Sequence, residues 1–325
     1  MPSWRAILEN KSIFVTGGTG FIGQKVLNLL NRRGYTMTAA VRDTSAAILP
    51  VPIFQFDELS ADQPWARGVA GQEVVIHSAA RVHIMSDQSA DSLGEFRKVN
   101  VDGSLSLARQ AAEAGVKRFI FISSIKVNGE GTEPDKPYTA FDTPAPQDPY
   151  GVSKMEAEHG LREIAKTTGM EVVIIRPVLV YGPGVKANFR SMMSWLSKGV
   201  PLPLGAIHNK RSLVSLDNLV DLIVTCIDHP AAANETFLVS DGEDLSTTEM
   251  LRRMGQALGK NARLLPVPAG LLEAGAAMLG KRAVAQRLCG SLQVDIRHTR
   301  ETLNWSPPVS VDDGFRAAAS AFLNE

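Results

Sequence analysis

The sequence predicts an α/β fold, in which a doubly wound parallel sheet is followed by a smaller mixed α+β region. Short apolar, β-branched segments alternate with helical segments up to residue 177, as is typical of parallel sheets. A glycine-rich turn follows the first of these segments. After residue 177, frequent prolines divide the chain into shorter pieces. We therefore expect one domain over residues 1–177 and a second region over 178–325, part of which returns to the sheet.

Each element of the first domain is predicted from its periodicity and from the residue that ends it. The predicted strands cover residues 11–16, 35–41, 53–56, 74–77, 118–122 and 171–175. Helices are predicted over 24–33, 96–114 and 150–168, and each is followed by a glycine that can end it. A late apolar segment, 236–239, is predicted to rejoin the sheet.

The composition limits the class of protein. Hydrophobic residues make up 44% of the chain, which is enough for a sizeable core. Lysine plus arginine and aspartate plus glutamate both number 34, so the basic excess of a typical nucleic-acid-binding protein is absent. The apolar stretch 264–279 is interrupted by two prolines and Glu273, and it predicts a loosely packed helix rather than a membrane span. Without an N-terminal signal sequence, we expect a cytoplasmic protein. The two cysteines and six histidines show no ligand spacing, so no metal site is expected.

A glycine-rich turn lies where the first predicted strand meets the first predicted helix. Its glycines are spaced G-x-x-G-x-x-G, at Gly17, Gly20 and Gly23. One glycine permits the tight bend, one lets the backbone approach a pyrophosphate, and one lets the helix pack close to the strand. The helix N-terminus also directs N–H groups toward phosphates. The turn therefore predicts a Rossmann dinucleotide site. Its other predicted contacts are Thr19, Phe21 and Ile22.

The residue that distinguishes NAD from NADP is expected about 20 residues after the glycines, at the end of the second strand. An acidic residue there binds the ribose 2′-hydroxyl of NAD, whereas an arginine accommodates the 2′-phosphate of NADP. Arg42 lies 19 positions after Gly23 and is followed by Asp43. Arg42 predicts NADP(H) as the preferred cofactor. In the alternative, Arg42 is solvated, Asp43 binds the ribose and the cofactor is NAD(H).

Tyr150 and Lys154 form a Y-x-x-x-K pair at the start of a predicted helix. Residues four apart share one helix face. A phenol has a pKa of about 10, so it is a weak acid–base group at neutral pH. A neighbouring ammonium favours the phenolate and brings Tyr150 toward useful general acid–base strength. The spacing therefore predicts a proton-transfer pair.

Five blocks of sequence occur in a fixed order. They are the turn 16–23, Asn100 within Val-Asn-Val-Asp, Ser123-Ser124 after an apolar strand, Tyr150 with Lys154, and Arg176-Pro177 followed by Tyr-Gly-Pro-Gly at 181–184. Together they resemble the extended short-chain dehydrogenase/reductase family, which contains UDP-galactose 4-epimerase and nucleotide-sugar dehydratases and reductases. The resemblance covers almost the whole chain, to residue 307.

The resemblance implies a role for each matching residue. Ser124 would hydrogen-bond the reacting oxygen, Tyr150 would exchange the proton, and Lys154 would bind the nicotinamide ribose and tune the phenol. Asn100 would support the backbone near the cofactor. The other cofactor contacts that the resemblance implies are Asp57, Leu59, Ala79, Ala80, Pro177 and Val180.

In the second region, the resemblance implies a UDP-sugar as substrate. Asn188 and Arg211 match residues that hold the UDP diphosphate, and Leu204 lies in a segment similar to the strand beside the uracil. Arg287 matches more loosely as a second diphosphate arginine. A solvated surface arginine is the alternative for both arginines. The sugar pocket would also include Arg81 and His83. The family further implies a homodimer built from the helices at 96–114 and 150–168.

Three functions remain open from the sequence. Leu179 and the run Lys126-Val127-Asn128 depart from the residues common in hexose epimerases. With Arg42, they favour a reductase that acts at C4 of a UDP-4-keto-6-deoxy-N-acetylhexosamine in bacterial polysaccharide or O-antigen synthesis. The alternative is a UDP-hexose or UDP-N-acetylhexosamine 4-epimerase. A non-catalytic NAD(P)-sensing protein is disfavoured, because such proteins usually lose the tyrosine or the lysine.

Overall fold

The computed structural model describes residues 11–44, 51–82, 91–133, 135–280 and 282–324. The strands are β1 (Ser12–Thr16), β2 (Thr36–Val41), β3 (Ile53–Gln55), β4 (Val74–His77), β5 (Arg118–Ile122), β6 (Glu171–Pro177), β7 (Leu179–Tyr181), β8 (Arg211–Ser215), β9 (Thr236–Val239) and β10 (Asp244–Leu245). The helices are α1 (Phe21–Arg32), α2 (Ala66–Val69), α3 (Ser92–Arg97), α4 (Ser104–Glu113), α5 (Pro149–Thr168), α6 (Ala187–Ser197), α7 (Leu216–Asp228), α8 (Thr247–Ala257), α9 (Ala269–Met278), α10 (Arg282–Cys289), α11 (Arg297–Leu303) and α12 (Val311–Leu323).

The main sheet is parallel throughout. In the described part of the chain it has seven strands, in the order β3-β2-β1-β4-β5-β6-β9. β2 and β3 lie on one side of β1, and the later strands β4, β5, β6 and β9 lie on its other side. The direction in which strands are added to the sheet therefore reverses between β1 and β4. In a doubly wound sheet, this reversal opens a crevice at the carboxyl ends of the strands. The predicted α/β fold is confirmed, and the position of the crevice follows from it.

Alternate residues of β1 enter two different cores. Ile13 and Val15 belong to a cluster that also contains Leu27 of α1 and Leu222 of α7. Phe14 belongs to a cluster on the other face, together with buried side chains of α4 and α5. Because successive side chains of a strand point to opposite faces, both faces of the sheet are covered by helices.

The second half of the chain returns to the main sheet, as predicted. β9 pairs with β6, and Phe237 and Leu238 of β9 are fully buried. The remaining strands β7, β8 and β10 form a separate three-stranded sheet. A third core, with Tyr181, Phe189 and Phe315 packed together, fills this smaller region. The cores do not divide at residue 177, because the main core also contains side chains of α7 and β9, such as Leu222 and Phe237.

The predicted helix over 96–114 differs from the structure. A π-helical segment, Lys98–Gly103, separates α3 from α4. Gly103 lies against the segment after β3, where an added Cβ would come within 2.7 Å of the Leu59 carbonyl carbon. Asn100, within the same segment, hydrogen-bonds outside the helix. Such π-helical insertions are frequent at functional sites, and the 3.6-residue pattern of the sequence does not reveal them.

The helix predicted within 264–279 is present as α9, and it is loosely packed. None of its residues is buried. Among the described helices, none combines the length and the apolar character needed to cross a bilayer.

The position of β9 in the main core predicts a large loss of stability on truncation. Phe237→Ala should lower the free energy of unfolding by about 3–5 kcal/mol, because it opens a cavity at a fully buried site. Phe141 is 75% exposed and serves as the matched control, so Phe141→Ala should cost about 1 kcal/mol or less. Urea denaturation followed by circular dichroism measures both. Equal losses for the two variants would show that β9 is not part of the core.

Candidate active site

The glycine turn lies at the carboxyl end of β1, beside the carboxyl end of β4. Gly17 has a φ of +74°, which favours glycine. A Cβ at this position would lie 2.7 Å from Ser78 Oγ and 2.8 Å from the backbone nitrogen of Ala79. The turn therefore sits directly on the loop that leaves β4, and only a glycine fits between the two.

Gly23 allows α1 to begin against the turn. A Cβ on Gly23 would lie 2.1 Å from the carbonyl oxygen of Gly17. The same oxygen accepts a hydrogen bond of 2.8 Å from the backbone nitrogen of Gly20, which precedes α1 as its N-cap. The first turn of α1 thus presents backbone N–H groups at the crevice, with Thr19 exposed and Phe21 and Ile22 half-buried. This arrangement fits a dinucleotide pyrophosphate.

The residues predicted to contact the adenosine follow β2 and β3. Arg42 and Asp43 are both exposed directly after β2. Asp57 is exposed after β3, and its backbone nitrogen donates to Gln63 Oε1 at 3.3 Å. Leu59 is buried instead, packed against Gly103. Its side chain therefore supports the fold, and only its backbone is suited to a contact with the adenine.

Asn100 ties the loop after β4 to α5. Its Oδ1 accepts from the backbone nitrogen of Arg81 at 2.8 Å, and its Nδ2 donates to the carbonyl oxygen of Arg81 at 3.0 Å. The same Nδ2 donates to Ser153 Oγ at 3.0 Å, and Ser153 Oγ donates to the carbonyl of Tyr150. Asn100 thus fixes the loop 79–81 relative to the helix that carries Tyr150. Ala79 and Ala80 are half-buried within that loop.

Ser124 and Tyr150 come together at the crevice. Ser124 follows β5 and caps a short 3-10 turn, Ile125–Val127, by accepting from the backbone nitrogen of Lys126. Tyr150 occupies the first turn of α5 and shares a side-chain hydrogen bond with Ser124. Its ring packs edge-on against Phe96, with centroids 6.0 Å apart. The structure therefore brings the two predicted hydroxyl groups to the same place in the crevice, close enough for their side chains to interact.

Asp148 sets the start of α5 and links it to the turn that carries Ser124. Its Oδ1 caps the helix by accepting from the backbone nitrogen of Gly151 at 2.7 Å. Its other oxygen accepts a short hydrogen bond from the ammonium of Lys126. Lys126 also contacts Glu130 at 2.9 Å. This ion pair holds the Ser124 turn and the Tyr150 helix in a fixed relation.

The pKa of Tyr150 is shifted upward in the protein, whereas the sequence predicted a downward shift. Burial, above all, and the carboxylate of Asp148 raise the pKa of Tyr150 above its usual range, while the hydrogen bond with Ser124 lowers it. Burial lowers the pKa of Lys154 itself to about 7, against the opposing pull of Glu158. Lys154 Nζ donates to the carbonyl of Ile122 at 2.8 Å and lies 4.3 Å above the centroid of the Phe121 ring.

A buried ion pair beneath the site is absent from the sequence prediction. Glu158 and Arg176 are 0% and 2% exposed, and two hydrogen bonds of 2.9 and 2.5 Å join them. Ser123 Oγ donates to Glu158 at 2.6 Å, and Arg176 donates to Asn128 at 2.9 Å. The signal was available, because Glu158 lies four residues after Lys154, on the same helix face.

The predicted substrate residues lie in the smaller region and on the loop after β4. Arg211 begins β8 and is half-buried; its Nη1 donates to the carbonyl of Gly290 at 2.9 Å, and burial lowers its pKa. Asn188 and Arg287 are exposed, on α6 and α10. Leu204 is buried and lines an apolar cavity.

Arg81 is half-buried, and His83 lies outside the described residues. Pro177 ends β6 and Val180 lies in β7, beyond the carboxyl end of β6.

The arrangement suits proton exchange at a carbon that also exchanges a hydride. In such an exchange Tyr150 would supply the titrating hydroxyl, and Ser124 would supply a second hydroxyl beside it. Among the described residues there is no cluster of metal-ligating side chains. The glycine turn fits the dinucleotide that would exchange the hydride, so the two halves of the reaction meet at the crevice.

Comparison with known proteins agrees with this site. The sequence profile of the NAD dependent epimerase/dehydratase family matches residues 13–240, which include the glycine turn, Ser124, Tyr150 and Lys154. The chain belongs to this family. A UDP-glucose 4-epimerase from Vibrio cholerae is 51% identical to it over 315 residues, which cover 96% of each chain.

Solved structures show the same fold. A UDP-glucose 4-epimerase from Thermotoga maritima with UDP-glucose superposes with a TM-score of 0.76 at 22% identity, covering 96% of this chain and 99% of the other. A UDP-glucuronic acid 4-epimerase from Bacillus cereus, in complex with NAD, gives a TM-score of 0.78 at 20% identity and the same coverage. At these identities the likeness establishes the architecture of this epimerase/dehydratase protein.

Tyr150 is expected to be essential for turnover but not for folding. Tyr150→Phe should lower kcat by about 100-fold or more, because it removes the general acid–base group. Ser124→Ala should cost less, because it removes one hydrogen bond and leaves the proton source in place. Steady-state kinetics, with circular dichroism and cofactor titration as controls for folding, separate the two effects. Near-native turnover of Tyr150→Phe would remove Tyr150 from its assigned role.

Proposed function

We propose that this protein is an NAD-dependent UDP-sugar 4-epimerase that interconverts UDP-glucose and UDP-galactose. The contact between Ser124 and Tyr150, beside a glycine turn that fits a dinucleotide, carries the proposal. The 51% identity to a UDP-glucose 4-epimerase over 96% of both chains supports the substrate and the reaction.

Of the two sequence departures that favoured a ketoreductase, the run 126–128 has a local structural explanation, whereas nothing in the structure explains Leu179. In the run 126–128, Lys126 pairs with Asp148, Val127 is fully buried, and Asn128 accepts from Arg176 and donates to the carbonyl of Thr139. These residues support the site from behind, so they carry little information about the reaction. The identity to the Vibrio epimerase then favours the epimerase alternative over the reductase.

In an epimerase, the side chains of this site act twice. Tyr150 takes the proton of the C4 hydroxyl as the sugar is oxidised, and Ser124 hydrogen-bonds the same oxygen. The chemistry that a bound NAD supplies is acceptance of the hydride from C4 and its return to the opposite face of the sugar. Tyr150 then gives the proton back, so sugar and cofactor end in their original oxidation states. No net oxidant is consumed.

A C4 ketoreductase is the second candidate, and Arg42 is the observation that favours it. Arg42 lies exposed at the end of β2, where a guanidinium suits a 2′-phosphate. A reductase that used NADPH would release its cofactor after each turnover. The two candidates therefore differ in cofactor consumption.

The homodimer also stays a proposal. The helices implied for it by the family resemblance correspond to α4 and α5, which cover one face of the main sheet. Sedimentation equilibrium of the purified protein would establish the oligomeric state.

We expect the purified protein to convert UDP-galactose to UDP-glucose without added cofactor. Product formation, followed by ion-exchange chromatography, should be lost in Tyr150→Phe, and denatured protein should release NAD. Parallel reactions with UDP-N-acetylglucosamine define the sugar specificity. If the protein instead oxidises NADPH one-for-one with a UDP-4-keto-6-deoxy sugar and leaves UDP-galactose unchanged, it is a reductase.

We further expect Asp43, rather than Arg42, to set the cofactor preference. Asp43→Asn should weaken NAD binding by about tenfold, as expected for loss of a hydrogen bond to a charged group. Arg42→Ala is the matched neighbour and should leave NAD binding nearly unchanged. Fluorescence titration with NADH and NADPH measures both. A native preference for NADPH that Arg42→Ala abolishes would reverse the assignment.

A further inference from the structure

Exposed apolar side chains concentrate around one groove in the smaller region. Among the described residues, twelve large apolar side chains are strongly exposed, and seven of them lie here. The seven are Trp195, Val200, Leu265, Leu271, Met278, Leu279 and Val284. Five of these also line a cavity of about 520 Å³ between α6, α9, α10 and the segment 200–204. We call the seven side chains and this cavity the apolar groove.

The α9–α10 hairpin projects the most exposed of these side chains. Leu271 and Met278 are 66% and 89% exposed, and they lie seven residues apart, on one face of α9. Leu279, 75% exposed, follows at the tip of the hairpin. Glu273, the acidic residue of α9, is two positions from Leu271 and so lies on the opposite side of the helix. Exposed apolar side chains of this size are unfavourable in water, so this face is suited to an apolar environment.

Basic residues outnumber acidic ones in the segment that carries most of this apolar surface. From residue 259 to 290 the sequence contains five basic residues and one acidic residue, Glu273. Of the basic residues, Lys260, Arg263, Arg282 and Arg287 are exposed. The whole chain has no net charge, so this local excess is a property of the hairpin and the segment before it. An apolar face bordered by cations is the pattern of an interfacial membrane contact.

We propose that the apolar groove docks this protein on the surface of an anionic phospholipid bilayer. Leu271, Met278 and Leu279 enter the boundary between headgroups and acyl chains, while the neighbouring cations bind lipid phosphates. Trp195 lies at the rim of the groove, and an indole suits the headgroup level because it joins an apolar ring to one polar N–H. The contact is peripheral, since α9 has ten residues and is too short to span a bilayer.

A second copy of the chain fits this surface less well. A twofold interface brings the same patch of both copies together. Such an interface would bring the basic excess of one hairpin close to that of the other, and like charges across an interface oppose association. An anionic membrane offers both the apolar layer and the opposite charge.

Vesicle binding tests this proposal independently of the proposed reaction. The native protein should co-sediment with vesicles of phosphatidylcholine mixed with phosphatidylglycerol, and less with phosphatidylcholine alone or in about 1 M salt, where charges are screened. The double variant Leu271→Asp/Met278→Asp should bind at least about tenfold more weakly, because both apolar contacts are lost. Arg282→Glu should weaken binding mainly at low salt. Tryptophan emission should shift to shorter wavelength with vesicles, and Trp195→Phe should remove that shift.

The control is Leu323→Asp, which places one such charge at a side chain that is 59% exposed outside the groove; the single variant Met278→Asp is its match in charge. Leu323→Asp should bind vesicles like the native protein, and all variants should keep native activity on a soluble substrate. Absence of native binding to anionic vesicles would overturn the proposal. So would a change of oligomeric state in Leu271→Asp/Met278→Asp measured without vesicles, since that result would assign the groove to a second copy.

Discussion

The geometry of the active site depends on the buried ion pair between Glu158 and Arg176. It joins the middle of α5 to the end of β6, and Ser123 connects it to the end of β5. Such a pair is stable only when its remaining hydrogen-bonding groups are satisfied, and here Asn128, Arg162 and Ser123 complete it. Removing one partner would leave an unpaired buried charge, at a cost of about 3–5 kcal/mol. Tyr150 and Lys154 lie on the same face of α5 as Glu158, so the ion pair also fixes how far these side chains stand from Ser124.

Within this fixed frame, the protein alone leaves Tyr150 a weak acid. Burial and the carboxylate of Asp148 raise the pKa of Tyr150. The Asp148 carboxylate is held in place, because it caps α5 and pairs with Lys126. A positive charge near the phenol would lower this pKa. Lys154 is one candidate, although its ammonium now donates to the carbonyl of Ile122, and burial lowers its pKa to about 7. A cationic nicotinamide ring bound at the crevice would be the other, and it would link proton transfer to the oxidation state of the cofactor.

Local patterns in the sequence predicted the parts of the structure that depend on local physics. Alternating strands and helices predicted the parallel sheet, including the return of β9, and the glycine spacing predicted the turn at Gly17 and Gly23. The Tyr150–Lys154 spacing predicted that both side chains lie on the same face of one helix. The π-helical segment was missed because the 3.6-residue pattern does not reveal it, and the contact of Gly103 with Leu59 joins residues distant in sequence. The Glu158–Arg176 pair was missed although Glu158 shares a helix face with Lys154, because its partner lies 18 residues away on the next element, β6.

The apolar groove shows a different limit of the sequence. The stretch 264–279 has the hydropathy of a buried helix. The sequence does not determine whether another element of the fold covers its apolar side chains. In the fold, α9 packs beside α10 at the edge of the third core, where the body of the protein covers the side that carries Ala269 and Leu272. A helix whose apolar side chains stay in water is normally destabilised, because those side chains gain nothing from burial. The exposed apolar side chains of α9, in a basic segment, are explained if a bilayer supplies the missing burial. An enzyme that acts on a soluble sugar nucleotide would then work at the membrane surface.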